Sequence, residues 1–549
     1  MERPLPTPAP GTPAPARVLK GGLPVPETPG GNLSQMIREA DAVFASLGSP
    51  LDLVREDTPE PPPPAETIPP PDPSAPEALP PGPSEPAGPA LPLESPESTE
   101  PALSPSAPEA AEPAPPPDAP EAAGPASPPD APQPAEAAPE IPAEADVPPP
   151  PPKPPVPLSN ETVTGHTAGL WKYLPVPEDQ PDQAPEYRTL HRCGPGGEIL
   201  AAQVRGKKHK HEGTNGDDWF EAAFFQDLVF LAVSDGAGSK KLSRIGAKAA
   251  CQTAVGYLKA AFTGLWTPEL AETLALDFGD QRCMSACASL AGVVQSAVGK
   301  ARAAVESAFY QRAADPAWEA LLGRSPELRD FSGTLLAAAV LPAGNAGRLV
   351  LSCQVGDGMI ALVNTKAPFG EALKLMGAPD SGEFSGETEF LTSAQAVTPE
   401  ALQSRTKISR GHSDVLLLMS DGVADDYFPH ETGLLRLYCD LAANGILTQP
   451  VQDLTADQLQ RYTGFPAPLS YPWVNDQSVQ VPLHYTRRIL ESTGLTMEAL
   501  WQDRTALTLA ALALKDLPED PAERLRHWLD NYVERGSFDD RTLAILRMG

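Results

Sequence analysis

Aspartates recur at the ends of apolar runs in this chain. The stretch LVFLAVSDGAGSKK (Leu228 to Lys241) stops at Asp235-Gly236, and DVLLLMSDGVAD stops at Asp421-Gly422. SFDDRTLAILRMG sets Asp539 and Asp540 just before a third run, and GTNGDDWF sets Asp217 and Asp218 before a fourth. A single Asp-Gly after a strand is ordinarily a turn. Several unpaired carboxylates gathered in one place repel one another and raise their own pKa values unless a cation sits among them. Hard oxygen donors select Mg²⁺ or Mn²⁺ over zinc. Two such ions can hold a bridging water, lower its pKa and clamp a phosphoryl group for in-line attack. Phosphate-ester hydrolysis is among the slowest uncatalysed reactions and needs that electrostatic help. Gly236 and Gly422 let the chain turn sharply, and Gly236 leaves its carbonyl accessible to an ion.

The elements that must position these acids follow from hydrophobic periodicity and turn residues. Strands are predicted over Glu198–Gly206, Trp219–Phe225, Leu228–Ser234, Gly333–Leu341, Arg348–Val355, Met359–Asn364, Asp414–Met419 and Thr542–Arg547. Gln226-Asp227 reads as a hairpin turn. Helices are predicted over Ser243–Phe262, Cys283–Ala313, Thr432–Asn444, Thr496–Lys515 and Pro521–Arg535. Hairpins mixed with long helices indicate an α+β fold with helices on the faces of antiparallel sheets.

Composition divides the chain. About fifty of its 70 prolines precede residue 160, in a segment of Pro, Ala, Glu, Asp, Ser and Gly. Such sequence buries too little apolar surface to offset its conformational entropy, so residues 1–158 are expected to be a disordered, extended tail. Within it Asn32–Gly48 carries Leu33, Met36, Ile37, Ala40, Val43, Phe44 and Leu47 at helical spacing. That stripe reads as an amphipathic helix at 32–48 that docks on a partner or on the globular part. Residues 159–549 are expected to form the globular domain. A net charge of −31 argues against a nucleic-acid partner. The six cysteines, Cys193, Cys251, Cys283, Cys287, Cys353 and Cys439, show no disulfide pattern. Neither a secretory signal nor an apolar run long enough to span a membrane is evident, so a cytoplasmic location is expected.

Taken in order, NGDD, VSDGAGS, SGTLLAAAV, QVGDG, LLLMSDG and DDRTLAIL resemble the metal-dependent protein phosphatase 2C family. The DGAGS and GDG forms are similar to its bacterial branch. The motifs run from about Asn215 to Leu546. The resemblance implies a four-layer α-β-β-α sandwich of two antiparallel sheets, with a centre for two Mn²⁺ or Mg²⁺ ions at one end of the sheets. It implies that Asp235 bridges the ions, that Gly236 offers its carbonyl, and that Asp421 and Asp540 complete the other ion's shell. It implies that Asp217 orients the attacking water, directly or through an ion. The implied substrates are phosphoserine and phosphothreonine proteins, opposing a serine/threonine kinase. In the family the aspartate equivalent to Asp357 belongs to a structural loop beneath the site.

The chain departs from the family pattern in three places. Gly216 stands where the family has an acid before Asp217, with Asp218 following. The family's phosphate-gripping arginine is missing, and the region reads KKHKHEGT. Lys208, His209, Lys210 or His211 could take its place, although lysine lacks arginine's bidentate fork, and a solvated basic loop is an equal reading of the run. The segment at about 424–535 is enlarged, with YTGFPAPLSYPWVNDQ (Tyr462 to Gln477) inside it. Asp425 and Asp539 are expected to face solvent, and Ser332 and Thr334 to pack. The alternative to an active phosphatase is a catalytically weak, phosphatase-like binding module acting through its tail.

Overall fold

The computed structural model describes residues 172–378, 388–447 and 485–548, apart from 179, 513, 515–516 and 532–537. The tail at 1–158, the helix expected at 32–48 and the stretch Tyr462–Gln477 lie outside the described residues.

Eleven described strands form two sheets. They are β1 (Tyr187–Gly194), β2 (Gly197–Val204), β3 (Trp219–Phe225), β4 (Leu228–Ser234), β5 (Leu335–Pro342), β6 (Arg348–Val355), β7 (Met359–Val363), β8 (Leu373–Leu375), β9 (Thr406–Gly411), β10 (Val415–Met419) and β11 (Arg541–Arg547). The first sheet has the order β1-β2-β11-β10-β7-β8 and the second β3-β4-β5-β6-β9. Each neighbouring pair is antiparallel.

The helices are α1 (Lys207–Glu212), α2 (Ser243–Leu265), α3 (Pro268–Ala275), α4 (Gln281–Ala313), α5 (Pro316–Leu322), α6 (Pro399–Arg405), α7 (Asp421–Ala424), α8 (His430–Ala443), α9 (Tyr485–Thr493), α10 (Met497–Gln502), α11 (Thr505–Leu512) and α12 (Pro521–Asn531). Helices α2 and α4 cover the outer face of the second sheet, burying Ala250, Ala254, Leu258, Val294 and Val298 against Phe230 and Leu351. Helices α8 to α12 cover the first sheet, burying Leu434, Tyr438, Trp501 and Trp528 against Leu417 and Leu543. A third core joins the two sheets, with Leu231 and Val233 facing Leu416, Leu418 and Ala544. The fold is the expected α+β sandwich of two antiparallel sheets between helical layers.

Strand alternation explains the continuous apolar runs. Along β10, Leu416 and Leu418 point between the sheets, whereas Val415, Leu417 and Met419 point to the helices. Both faces are buried, so polar residues have no place in the run. Three strands depart from the sequence reading. β1 pairs along its length with β2, and β8 and β9 are edge strands whose polar residues mask their pattern. The basic run, read either as a phosphate grip or as a solvated loop, contains the short helix α1. The helix predicted at Thr496–Lys515 is broken at Asp503, which ends α10 before α11 begins.

Leu418 lies fully buried between the sheets. Leu418→Ala is expected to cost about 2–5 kcal/mol of stability, read as a lowered urea midpoint at unchanged slope.

Candidate metal centre

Strand ends from both sheets deliver acids to one place. Asp235 follows β4, Asp357 lies between β6 and β7, and Asp421 opens α7 after β10. One carboxylate oxygen from each of these three lies within 4.8 Å of the others. Asp357 is therefore beside the expected ligands rather than beneath them. The Asp235 loop is held by residues 332–334. Asp235 accepts from the Thr334 amide at its carbonyl (2.8 Å), and its own amide donates to Thr334 Oγ1 (2.9 Å). A Cβ on Gly236 would stand 2.5 Å from the Asp217 carbonyl oxygen, so the turn requires glycine. Gly422 is equally constrained, since its Cβ would stand 2.1 Å from the Asp540 carbonyl oxygen.

Within each pair of adjacent acids, the two members do different work. Asp218 is fully buried, accepts from Thr542 Oγ1 at 2.7 Å, and lies close enough to Asp235 to share a proton. Asp217 instead faces Asp540, Arg244 and Ser243, with His209 Nε2 3.7 Å away. Asp540 accepts backbone N–H groups at both carboxylate oxygens, from Gly206 at 2.5 Å and from Asp217. It ties the ends of the α1 loop to β11. Its neighbour Asp539, half-buried rather than exposed, faces the cluster and adds its charge to both Asp235 and Asp421. The centre thus gathers Asp235, Asp357 and Asp421 with Asp218 and Asp539 beside them, while Asp217 and Asp540 build the adjoining loop. A Cβ at 216 would stand 3.3 Å from the Asp540 carboxylate, a tight contact that a larger acidic side chain there would have to accommodate.

Electrostatics follow from burial without compensation. Burial, then the Asp421 and Asp218 carboxylates, raise Asp235 well above the usual carboxylate range. Burial, then Asp357 and Asp539, do the same to Asp421. Burial and Asp540 push Asp218 up to about 7. Burial and Asp540 raise Asp217. Among the described residues none of Asp235, Asp357 or Asp421 makes an ion pair, and buried Asp357 Oδ1 and Asp218 Oδ1 accept no hydrogen bond. Orphaned acceptors converging in a half-buried, all-oxygen donor set fit a hard divalent cation, Mg²⁺ or Mn²⁺.

The four basic candidates separate clearly. Lys208 is half-buried, and its Nζ lies 3.8 Å from the point where a Cβ on Gly238 would stand, with Asp539 Oδ1 4.0 Å from that point. His209 is buried, bonded to Thr214 Oγ1 at 2.8 Å and wedged by Asp217 and Asp540. Lys210 pairs with Asp530, and His211 Nδ1 accepts from the Lys172 amide at 3.0 Å. Lys208 and His209 both lie beside Asp539, with His209 also engaged by Asp217, Asp540 and Thr214.

A family model described as protein phosphatase 2C matches residues 205–459. No curated protein matches the chain. Solved structures similar to it include a bacterial serine phosphatase (13% identity, TM-score 0.30, 66% of this chain and 98% of that one). Another is the serine/threonine phosphatase Stp1 from Staphylococcus aureus (12% identity, TM-score 0.27, 68% and 100%). A third is the PPM Ser-Thr phosphatase MsPP from Mycobacterium smegmatis in complex with cacodylate (13% identity, TM-score 0.26, 64% and 98%).

The raised acids set a pH-dependent prediction. A carboxyl whose folded pKa lies above its unfolded value favours folding while protonated, and this stabilisation is lost as pH rises toward the folded pKa. For Asp218 the window runs from about 4 to about 7. A cation competes with those protons. Millimolar Mn²⁺ should therefore raise the melting temperature more at pH 7.5 than at pH 5, and an equal shift at both would count against the acids as its site.

Proposed function

We infer that this chain, whose residues 205–459 match the protein phosphatase 2C family, hydrolyses phosphoserine and phosphothreonine in proteins in a metal-dependent reaction. The observation that carries this reading is the convergence of Asp235, Asp357 and Asp421 within 4.8 Å, without a cationic partner among the described residues. Asp235, Asp357 and Asp421 would hold one or two Mn²⁺ or Mg²⁺ ions, with Asp218 and Asp539 at their side. Such ions supply positive charge that eases deprotonation of water and offsets the charge of a transferring phosphoryl group.

The chain's own residues set the geometry around that charge. Lys208 provides a point charge at the mouth of the centre and draws the substrate phosphate toward it. Gly238, exposed and without a side chain, keeps the space between Lys208 and Asp539 open. Thr388 donates to Asp357 Oδ2 and fixes that carboxylate, leaving Oδ1 free to point inward. Asp540 and His209 keep Lys208 in place by locking α1 against β11. Hydrolysis then forms one P–O bond from water and breaks the P–O bond to the side chain, which leaves as the serine or threonine hydroxyl. The opposing activity is a serine/threonine kinase, and segment 32–48 on the Pro-rich spacer is the candidate docking element.

Turnover of p-nitrophenyl phosphate should depend on Mn²⁺ and vanish with chelator. Asp235→Asn and Asp421→Asn should lower kcat/KM by ~10³-fold or more, a loss of about 4 kcal/mol of transition-state stabilisation, with unchanged circular dichroism. Turnover absent even toward phosphopeptides would favour the binding-module alternative. Asp539→Asn should raise the Mn²⁺ concentration needed for half-activity. Asp540→Asn should chiefly cost stability, on the order of 1–3 kcal/mol, because one backbone N–H would then face an amide NH₂. Lys208→Ala should raise KM for a phosphopeptide on the order of 10-fold with a smaller change in kcat, and Lys208→Arg should restore it.

A further inference from the structure

A second cluster of metal-ligating side chains lies on the β1–β2 hairpin, outside the acidic centre. His191 and Cys193 are two residues apart on β1 and so share a face, and Cys193 sits directly across from Glu198 on β2. One ligand atom from each of His191, Cys193 and Glu198 lies within 4.8 Å of the others. His191 Nε2 is 3.0 Å from Glu198 Oε1 and 3.8 Å from Cys193 Sγ.

The groups around this cluster orient its donors. His191 Nδ1 lies 3.1 Å from Asp520 Oδ1, at the start of α12. A carboxylate at Nδ1 orients the ring so that Nε2 is directed at Cys193 and Glu198, an arrangement that recurs behind zinc-bound histidines. Glu198 Oε2 accepts from Arg547 Nη1 at 2.8 Å, which leaves Oε1 facing His191. His191 Nε2 and Glu198 Oε1 face each other at 3.0 Å, a spacing at which a cation can replace a shared proton.

We propose that His191, Cys193 and Glu198 form a zinc site, oriented by Asp520. The thiolate–imidazole–carboxylate set selects a borderline-soft ion and disfavours the Mg²⁺ or Mn²⁺ suited to the all-oxygen centre. Tetrahedral zinc with bonds of about 2.0–2.3 Å separates its donors by roughly 3.3–3.8 Å, close to the spacings found here. Three protein donors on an exposed hairpin leave the fourth position to water or to a donor from another molecule. Binding releases the Cys193 proton and forms a Zn–S bond without redox change.

Cys193 is exposed and the other five cysteines are buried, so thiol labelling of the native chain reads Cys193 alone. With Mg²⁺ in excess, one equivalent of Zn²⁺ should slow labelling by at least ~10-fold, the loss of access expected when a thiolate is coordinated. Co²⁺ in its place should give a thiolate charge-transfer band. His191→Ala should abolish both effects with an unchanged zinc-free melting temperature, and Asp520→Asn should weaken zinc affinity by about 10–100-fold. Labelling indifferent to Zn²⁺, or equal protection in His191→Ala, overturns the proposal.

Discussion

The structure is organised around carboxylates that must approach one another where water is scarce. Asp235, Asp357 and Asp421 meet at a few ångströms, with Asp218 and Asp539 adding like charge. Left alone, such a group either takes up protons or pushes apart. Keeping it together requires a rigid frame and a counter-charge. The frame is the pair of sheets, whose strand ends carry the acids on short turns. The counter-charge that suits five oxygen-bearing side chains is a hard divalent ion.

The frame is cross-linked by polar contacts next to the centre. Asp540 reaches from the start of β11 to the amides of Gly206 and Asp217, joining the two sides of the α1 loop. Thr542 bonds Asp218, and Ser420 Oγ accepts from the Thr542 amide at 3.0 Å. These bonds run between β2, β3, β10 and β11, so they couple the register of one sheet to the position of acids held by the other. Close backbone approaches at Gly236 and Gly422 serve the same end. The adjoining loop then places Lys208 and His209 beside Asp539, while Lys210 pairs with Asp530.

Much of this was legible in the sequence. Apolar runs ending in Asp-Gly located β4 and β10, and the order of motifs conveyed the two-sheet sandwich. What the sequence could not convey was which of two adjacent aspartates points inward. Neighbouring side chains diverge as the chain enters a strand, and the direction is fixed only by pairing with other strands. Asp218 and Asp539 face the centre, where the resemblance had pointed to Asp217 and Asp540. Asp357 was similarly hidden, because a tight turn between β6 and β7 gives no local sign of what lies across from it. β1 and the edge strands β8 and β9 escaped notice because their exposed faces are polar. The hairpin cluster was invisible for a related reason: Glu198 joins His191 and Cys193 only through cross-strand register.

The most direct test of the account is an anomalous difference map at the manganese edge from crystals of the globular region grown with Mn²⁺. The account predicts peaks among the carboxylates of Asp235, Asp357 and Asp421, with Asp540 still bonded to the Gly206 and Asp217 amides. An empty map at those oxygens, or manganese held instead by Asp540, would contradict it.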